Sequence, residues 1–393
     1  MGEGVPPAGS PAGGLIGSDS GGDPAAARTG SGNPFAGADA RPHVDGAFAR
    51  EEVALANRNP GMPLEGLRYD ITPQGMHYLL SHFDIPEVDA QAWRLSIGGH
   101  VRAGLSFSLA ELKQLPTRTL RVTLECAGNG RAGMTPRYPS MPWIGEAVGT
   151  AEWTGTPLRG LLEKAVPVDR ASEVAFLGLD RGFDRGVEHH YGRSLKLDQA
   201  LSDDVLVVYA MNGQPLLPQH GHPCRLIVPG WYGMASVKWL SRIEVLDRPF
   251  DGFQQAVGYH YRKSADDPGV PVTTLRVRSL MLPPGIPDWY TRRRLVDAGR
   301  VELRGRAWAG AGVPVERVEV AVDGEWRDAL LAPPGEHRYA WRAWTCPWDA
   351  TRGEHLLQCR AHAADGSVQP LQPDWNTAGM GNNAAQAVQV TVR

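Results

Sequence analysis

From residue 300 onward the chain reads as one short strand after another. The strand-like runs are Arg300–Trp308, Val315–Val322, Tyr339–Trp344, His355–Ala363 and Val388–Val392, with turn signals at Asp323-Gly324 and Asp365-Gly366. Short strands at this spacing predict a β-sandwich of immunoglobulin type. The texture changes near residues 260–275, after Ser264-Ala-Asp-Asp-Pro-Gly. Upstream the pattern is mixed. Trp93–Ile97 alternates as a strand, Ser108 and Glu111 form a capping box ahead of a short helix, Leu158–Val166 reads as a second helix, and Asp204–Ala210 as a buried strand.

The expected class is therefore α+β: a mixed α/β domain over residues 49–262 followed by the sandwich over 270–393. Residues 1–48 are dominated by Gly, Ala, Pro, Ser and Asp. That composition buries too little apolar surface to offset its ordering entropy, so a disordered tail is expected. There is no internal repeat.

The 42% hydrophobic content supports real cores, and a net charge of -3 gives no basic footprint for nucleic acid. No apolar run approaches the roughly 18 residues that would span a membrane. The N-terminal stretch has neither a secretory pattern nor a twin arginine, so the expected location is cytoplasmic. Four cysteines, at 126, 224, 346 and 359, are too few and scattered for a disulfide framework or a zinc site. Cys346 and Cys359 remain an optional pair.

Cys126 sits in TLECAGNGR, at the end of an alternating run in which Leu120, Val122, Leu124 and Cys126 share one face. Its thiol should point inward where Gly128 and Gly130 turn the chain and present backbone N–H groups. A second block, Asn212–Leu240, places His220, Arg225 and Lys238 beside glycine-rich turns. Cations and imidazole next to exposed backbone suit an anionic, phosphate-bearing ligand, although a solvated strand edge would also read this way.

ECAGNGR together with NGQPLLPQHGHPCRLIVPGWYGMASVKWL closely resembles the sulfite oxidase family of molybdopterin enzymes, and QPLQPDWNTAGMGNNA resembles that family's dimerisation domain. The match runs from about residue 65 to the end. It implies a two-electron, oxygen-atom-transferring oxidoreductase that holds a molybdenum–molybdopterin cofactor and forms a homodimer. Cys126 would be the protein thiolate on molybdenum, a soft ligand for a metal held largely by sulfur. His82, Asp180, Tyr191, Ser194, His220, Arg225, Ser236 and Lys238 match positions that line the cofactor. His222 and Cys224 have no such counterpart and read as structural. The family's tyrosine beside the metal falls in GFQQAVGYHYRK with a spacing shifted by about one residue, which makes Tyr259 the first choice and Tyr261 the second.

Two positions depart from the family. Its sulfite-oxidising members bind sulfite with an arginine two residues before the histidine matching His82 and another three residues after the tryptophan matching Trp375. Here these are Leu80 and Ala378. A hydrogen bond to a charged group contributes about 1.5–3 kcal/mol, so the two together represent about two to four powers of ten in sulfite affinity. Arg137, Arg181 and Arg185 are candidate replacements. The expected substrate is sulfite or another small sulfur compound, with the residues favouring a less charged one. No C-x-x-C-H or fused haem pattern occurs, so no haem is expected and electrons should pass to a separate carrier. Two rival readings stand beside this one: a catalytically inactive pterin-binding or interaction protein that keeps the fold, and a metal-free thiol enzyme with Cys126 as nucleophile.

Overall fold

The computed structural model describes residues 48–393, so the expected tail over 1–48 falls almost wholly outside it. Two five-stranded sheets build the first part. One is ordered Leu105–Ser108, Arg94–Gly99, Leu240–Leu246, Glu173–Asp184, Val187–Lys196, with a single parallel pairing between Arg94–Gly99 and Leu240–Leu246. The other runs Arg118–Glu125, Val148–Pro157, Leu206–Met211, Gln214–Pro215, with Arg225–Ile227 also paired to Leu206–Met211.

The capping box forms as the sequence predicts: Ser108 caps the Leu109–Lys113 helix and its backbone N–H donates to Glu111. Leu158–Ala165 is helical, and Leu206–Met211 is a buried strand. The α+β label fits only roughly. Among the described residues the α-helices are few and none exceeds the nine residues of Arg50–Arg58. The physical reason lies in composition: 47 glycines and 32 prolines interrupt helical hydrogen bonding before long helices can propagate. No helix among the described residues is long and apolar enough to cross a membrane.

Beyond residue 277 a four-stranded sheet, Arg278–Leu282, Gly299–Trp308, Arg342–Ala350, Leu330–Leu331, faces a six-stranded one. Val318, Trp344, Leu357 and Val390 lie in the core that the two sheets share. The strand expected at Tyr339–Trp344 instead runs Arg342–Ala350 and includes Pro347. Proline is tolerated there because this part of the strand pairs on one side with Gly299–Trp308, while its other neighbour reaches only Trp344 and Thr345. Tyr339 and Trp341 leave the sheet to bond Thr123 in the first part of the chain. All four cysteines are free and buried, Cys346 and Cys359 included.

Alternation along Arg118–Glu125 holds, with one difference. Thr123 and Glu125, on the polar face, are as buried as Val122 and Leu124. The second part of the chain covers them. Arg278 and Trp308 both donate to the Glu125 carboxylate, at 2.7 and 2.8 Å.

Candidate active site

Two cavities meet at Cys126. The inner one is lined by His77, Tyr78, Asp180, Tyr191, His220, Arg225, Ser236 and Lys238, among others; the outer one by Arg131, Tyr138, Met141, Phe183, Arg185, Arg262, Ala378 and Met380. Leu80, His82, Cys126 and Tyr259 border both. The structure thus brings together residues far apart in the sequence, such as Cys126 and Ala378, which are 252 positions apart.

The strand Arg118–Glu125 delivers Cys126, and the turn after it is tied tightly. Cys126 N–H donates to Ala147 O at 2.9 Å, Asn129 N–H donates to Cys126 O at 2.9 Å, and Gly128 N–H points at Sγ from 3.4 Å. Gly130 has φ 86°, a left-handed conformation in which a Cβ would come within 2.9 Å of Asn382 O. Burial pushes the Cys126 thiol up from its ordinary value, with the Arg131 charge acting against that shift. Without a metal it is a neutral thiol and a poor nucleophile. A bound metal would remove the proton outright.

The inner cavity is rich in polar atoms that the protein leaves unanswered. His77 Nε2, Asp180 Oδ1 and Arg225 Nε are buried with no hydrogen-bond partner. Arg225 gives its other nitrogens to the carbonyls of His220 and Ser236, at 3.1 and 3.0 Å, and lies over the Trp153 ring. Lys238 Nζ donates to Ser81 Oγ at 2.9 Å and to Gln219 O at 3.0 Å. Lys238 also lies over the Trp239 ring, and the Asp180 carboxylate attracts it without a direct hydrogen bond. Burial, assisted by the Arg225 charge, lowers Lys238 to about 7, and burial lowers Arg225 to about 10. Burial raises Asp180 to about 6 against the pull of Lys238. It lowers His77 to about 4 and His220 to about 3. Unpartnered polar groups and unpaired cations are costly when buried, so a site like this fits a ligand that supplies hydrogen bonds and negative charge.

In the outer cavity the cations already have protein partners. Arg131 donates to the carbonyls of Ala378 and Met141, at 3.0 and 3.1 Å. Arg185 lies over the Phe253 ring and 3.6 Å from Asp184, and Arg262 donates to Val257 O at 2.9 Å. The cavity encloses about 280 Å³. Of the candidate replacement arginines, only Arg185 reaches it. Arg137 is buried against Glu52 with Phe48 over its guanidinium, and Arg181 pairs with Glu188 at 2.5 Å on the surface.

Between Tyr259 and Tyr261, the structure puts Tyr259 on both cavities, its hydroxyl 2.8 Å from His82 Nε2. A π-helical turn over Gln254–Gly258 immediately precedes it. Tyr261 packs elsewhere, under the Arg276 guanidinium. Ser236 lines the inner cavity and its hydroxyl accepts from Val228 N–H at 3.1 Å. Ser194 lies on neither cavity. Along Val187–Lys196 it falls on the face opposite Tyr191, and its hydroxyl donates to Glu173 at 2.5 Å. Cys224 is fully buried in the core, and His222 bonds Leu216 O. Sequence reasoning missed His77, Tyr78, Arg131 and Arg262. Arg131 closes the ECAGNGR motif itself, and a buried arginine beside a buried thiol was the available signal.

Comparison with known proteins places these cavities in a class. Residues 82–254 match the oxidoreductase molybdopterin binding domain, and residues 272–393 match the Mo-co oxidoreductase dimerisation domain. The chain belongs to the sulfite oxidase family of molybdopterin oxidoreductases. It is 33% identical over 350 residues to sulfite oxidase of Gallus gallus, covering 82% of this chain and 73% of that protein. It is 35% identical over 350 residues to mitochondrial sulfite oxidase of Macaca fascicularis, and spans 62% of that protein's length. The crystal structure of the sulfane dehydrogenase SoxCD from Paracoccus pantotrophus superposes with a TM-score of 0.72 at 25% identity, covering 90% of this chain and 92% of that one.

Proposed function

We propose that this chain oxidises a small sulfur compound less charged than sulfite, adding one oxygen from water to sulfur and releasing two electrons and two protons. The observation that carries the reading is the contrast at Cys126, where an inner cavity with unpartnered His77 Nε2, Asp180 Oδ1 and Arg225 Nε abuts an outer one in which Leu80 and Ala378 offer no charge. Sulfane sulfur, the substrate class named for the structural relative, meets that requirement.

The residues present fit a molybdopterin. Arg225 and Lys238 would hold its phosphate, while His77 Nε2 and Asp180 Oδ1 would bond the polar edge of the pterin. His82, Tyr191, His220 and Ser236 complete the walls. Cys126 would supply the one protein thiolate to the metal. When bound, the cofactor supplies a two-electron centre for oxygen-atom transfer. The Tyr259 hydroxyl and His82 Nε2 are hydrogen-bonded where the two cavities meet, positioned to orient substrate or to pass a proton outward. Leu80 and Ala378 offer a dianion neither charge nor a side-chain hydrogen bond, and Arg131, Arg185 and Arg262 in the same cavity are already engaged by protein groups, so the wall favours an uncharged sulfur.

Electrons leave to a separate carrier in this reading. The two facing sheets beyond residue 277 act as an immunoglobulin-like module that pairs two copies about a two-fold axis. Sedimentation of the purified chain tests the dimer, which a monomer at micromolar concentration would contradict. Steady-state turnover with sulfite and with an organic sulfane, using an artificial acceptor, tests the substrate. The sulfane should have the higher kcat/KM; a micromolar half-saturation for sulfite would overturn the inference from Leu80 and Ala378.

A further inference from the structure

The segment that follows Cys126 is held from outside its own sheet. Gly381 N–H donates to Ala127 O at 2.6 Å, Asn382 Nδ2 donates to Gly130 O at 2.7 Å, and Arg131 Nε donates to Ala378 O. All three partners come from residues 378–382. At the centre of this lacing sits Glu125, 1% exposed and immediately before the cysteine. Its Oε1 accepts from Arg278 Nη1 at 2.7 Å and from Asn129 Nδ2 at 3.0 Å, and its Oε2 accepts from Trp308 Nε1 at 2.8 Å. The same Arg278 nitrogen donates to Asn382 O at 2.9 Å, and Asn129 Oδ1 accepts from Ala147 N–H, beside the carbonyl that holds Cys126 N–H.

We propose that Glu125 is a positioning residue for Cys126, through which the C-terminal sheets fix the direction of the thiol. This rests on the reading of Cys126 as the metal's thiolate. Stability alone does not account for the arrangement, since a buried ion pair is commonly no better than well-packed apolar side chains. Geometry does account for it. Successive strand residues point to opposite faces, so anchoring the Glu125 side chain on one face sets where the Cys126 side chain leaves on the other. The C-terminal sheets thereby take part in the site, in addition to any role in pairing two copies.

The test uses the full chain, purified without cofactor, and measures iodoacetamide labelling of Cys126 by peptide mass spectrometry. This readout is independent of whether Cys126 binds a metal, so failure of the proposal is distinguishable from failure of the metal assignment. One variant pairs Glu125→Gln with Arg278→Met, so that no lone charge stays buried. A milder one, Trp308→Phe, keeps the aromatic ring and removes a single donor. The control, Arg306→Met, breaks a different contact between the same regions, in which Nε donates to Leu67 O at 2.8 Å and Nη1 pairs with Asp70 at 2.7 Å. Loss of a charge-assisted hydrogen bond changes an opening equilibrium by about tenfold or more. Labelling should therefore speed up about tenfold in the paired variant, several-fold in Trp308→Phe, and stay near wild type in Arg306→Met. Unchanged labelling in Trp308→Phe and in the paired variant would overturn the proposal. So would equal acceleration in the Arg306→Met control, which would mean only a loosened interface.

Discussion

The two cavities that meet at Cys126 differ in what the protein leaves unsatisfied. In the inner one, Arg225 and Lys238 are held by carbonyl and hydroxyl oxygens, and buried polar atoms wait for partners. In the outer one, Arg131, Arg185 and Arg262 are engaged by protein groups, and Leu80 and Ala378 are among the lining residues. Buried polar atoms without partners are costly, so the inner cavity fits a ligand that supplies hydrogen bonds. The outer cavity carries no comparable demand and suits a substrate that comes and goes. Retention and turnover are thus separated by one strand end.

Substitutions that move charge between the cavities test this contrast. Arg225→Met with Lys238→Met removes the counter-charges of the inner cavity. At about 1.5–3 kcal/mol per charged hydrogen bond, cofactor affinity should fall by two or more powers of ten. Molybdenum per purified chain reads this out directly, and an unchanged content would break the assignment of that cavity. The reciprocal change, Leu80→Arg with Ala378→Arg, should lower the half-saturation for sulfite about ten- to a hundredfold, as steady-state kinetics normalised to molybdenum content would show.

A smaller effect follows from Lys238. Burial holds it at about 7, so it is charged below that pH and neutral above. Sulfate, whose charge is constant over this range, should bind the cofactor-free chain less tightly as pH rises through 7, with a limiting slope of about tenfold per unit. Asp180, raised to about 6, adds an opposing charge over an overlapping range and works in the same direction. Calorimetric titration from pH 6 to 8 measures the slope, which Lys238→Met should flatten.

The smallest effect concerns acid stability. His77 and His220 stay neutral in the fold down to about 4 and 3, whereas the unfolded chain protonates its histidines near 6.5. The unfolded state therefore binds more protons in that window, and stability drops as pH falls from about 6.5 towards 4. Thermal unfolding of the cofactor-free chain at pH 7 and pH 5 should show a Tm loss of several degrees, reduced by His77→Asn with His220→Asn.

Much of the inner cavity was legible in the sequence because its residues come in two dense runs. Cys126 ends an alternating strand, and His220, Arg225, Ser236 and Lys238 fall within nineteen positions of one another. Local pattern also gave the Ser108 cap and the strand Val315–Val322. Tertiary context hid the rest. Alternation along Arg118–Glu125 marked Thr123 and Glu125 as a polar face, and a polar face normally meets water; here the second part of the chain covers it. Tyr259, just after a π turn, could not be separated from Tyr261 by spacing alone, and Ser194 was misdirected by three positions of strand parity from Tyr191. The Tyr339–Trp344 run looked like a strand because of its aromatics, yet two of them serve the contact with Thr123.

In the proposed reading the inner cavity retains a molybdopterin and Cys126 is the protein's thiolate on the metal. Elemental analysis combined with molybdenum X-ray absorption, on wild type and Cys126→Ser from a cofactor-competent host, puts both points to the test. Near one molybdenum per chain is expected in both proteins, with one fewer sulfur neighbour in the variant. An identical sulfur count in the two proteins, or a wild type without molybdenum, would contradict it.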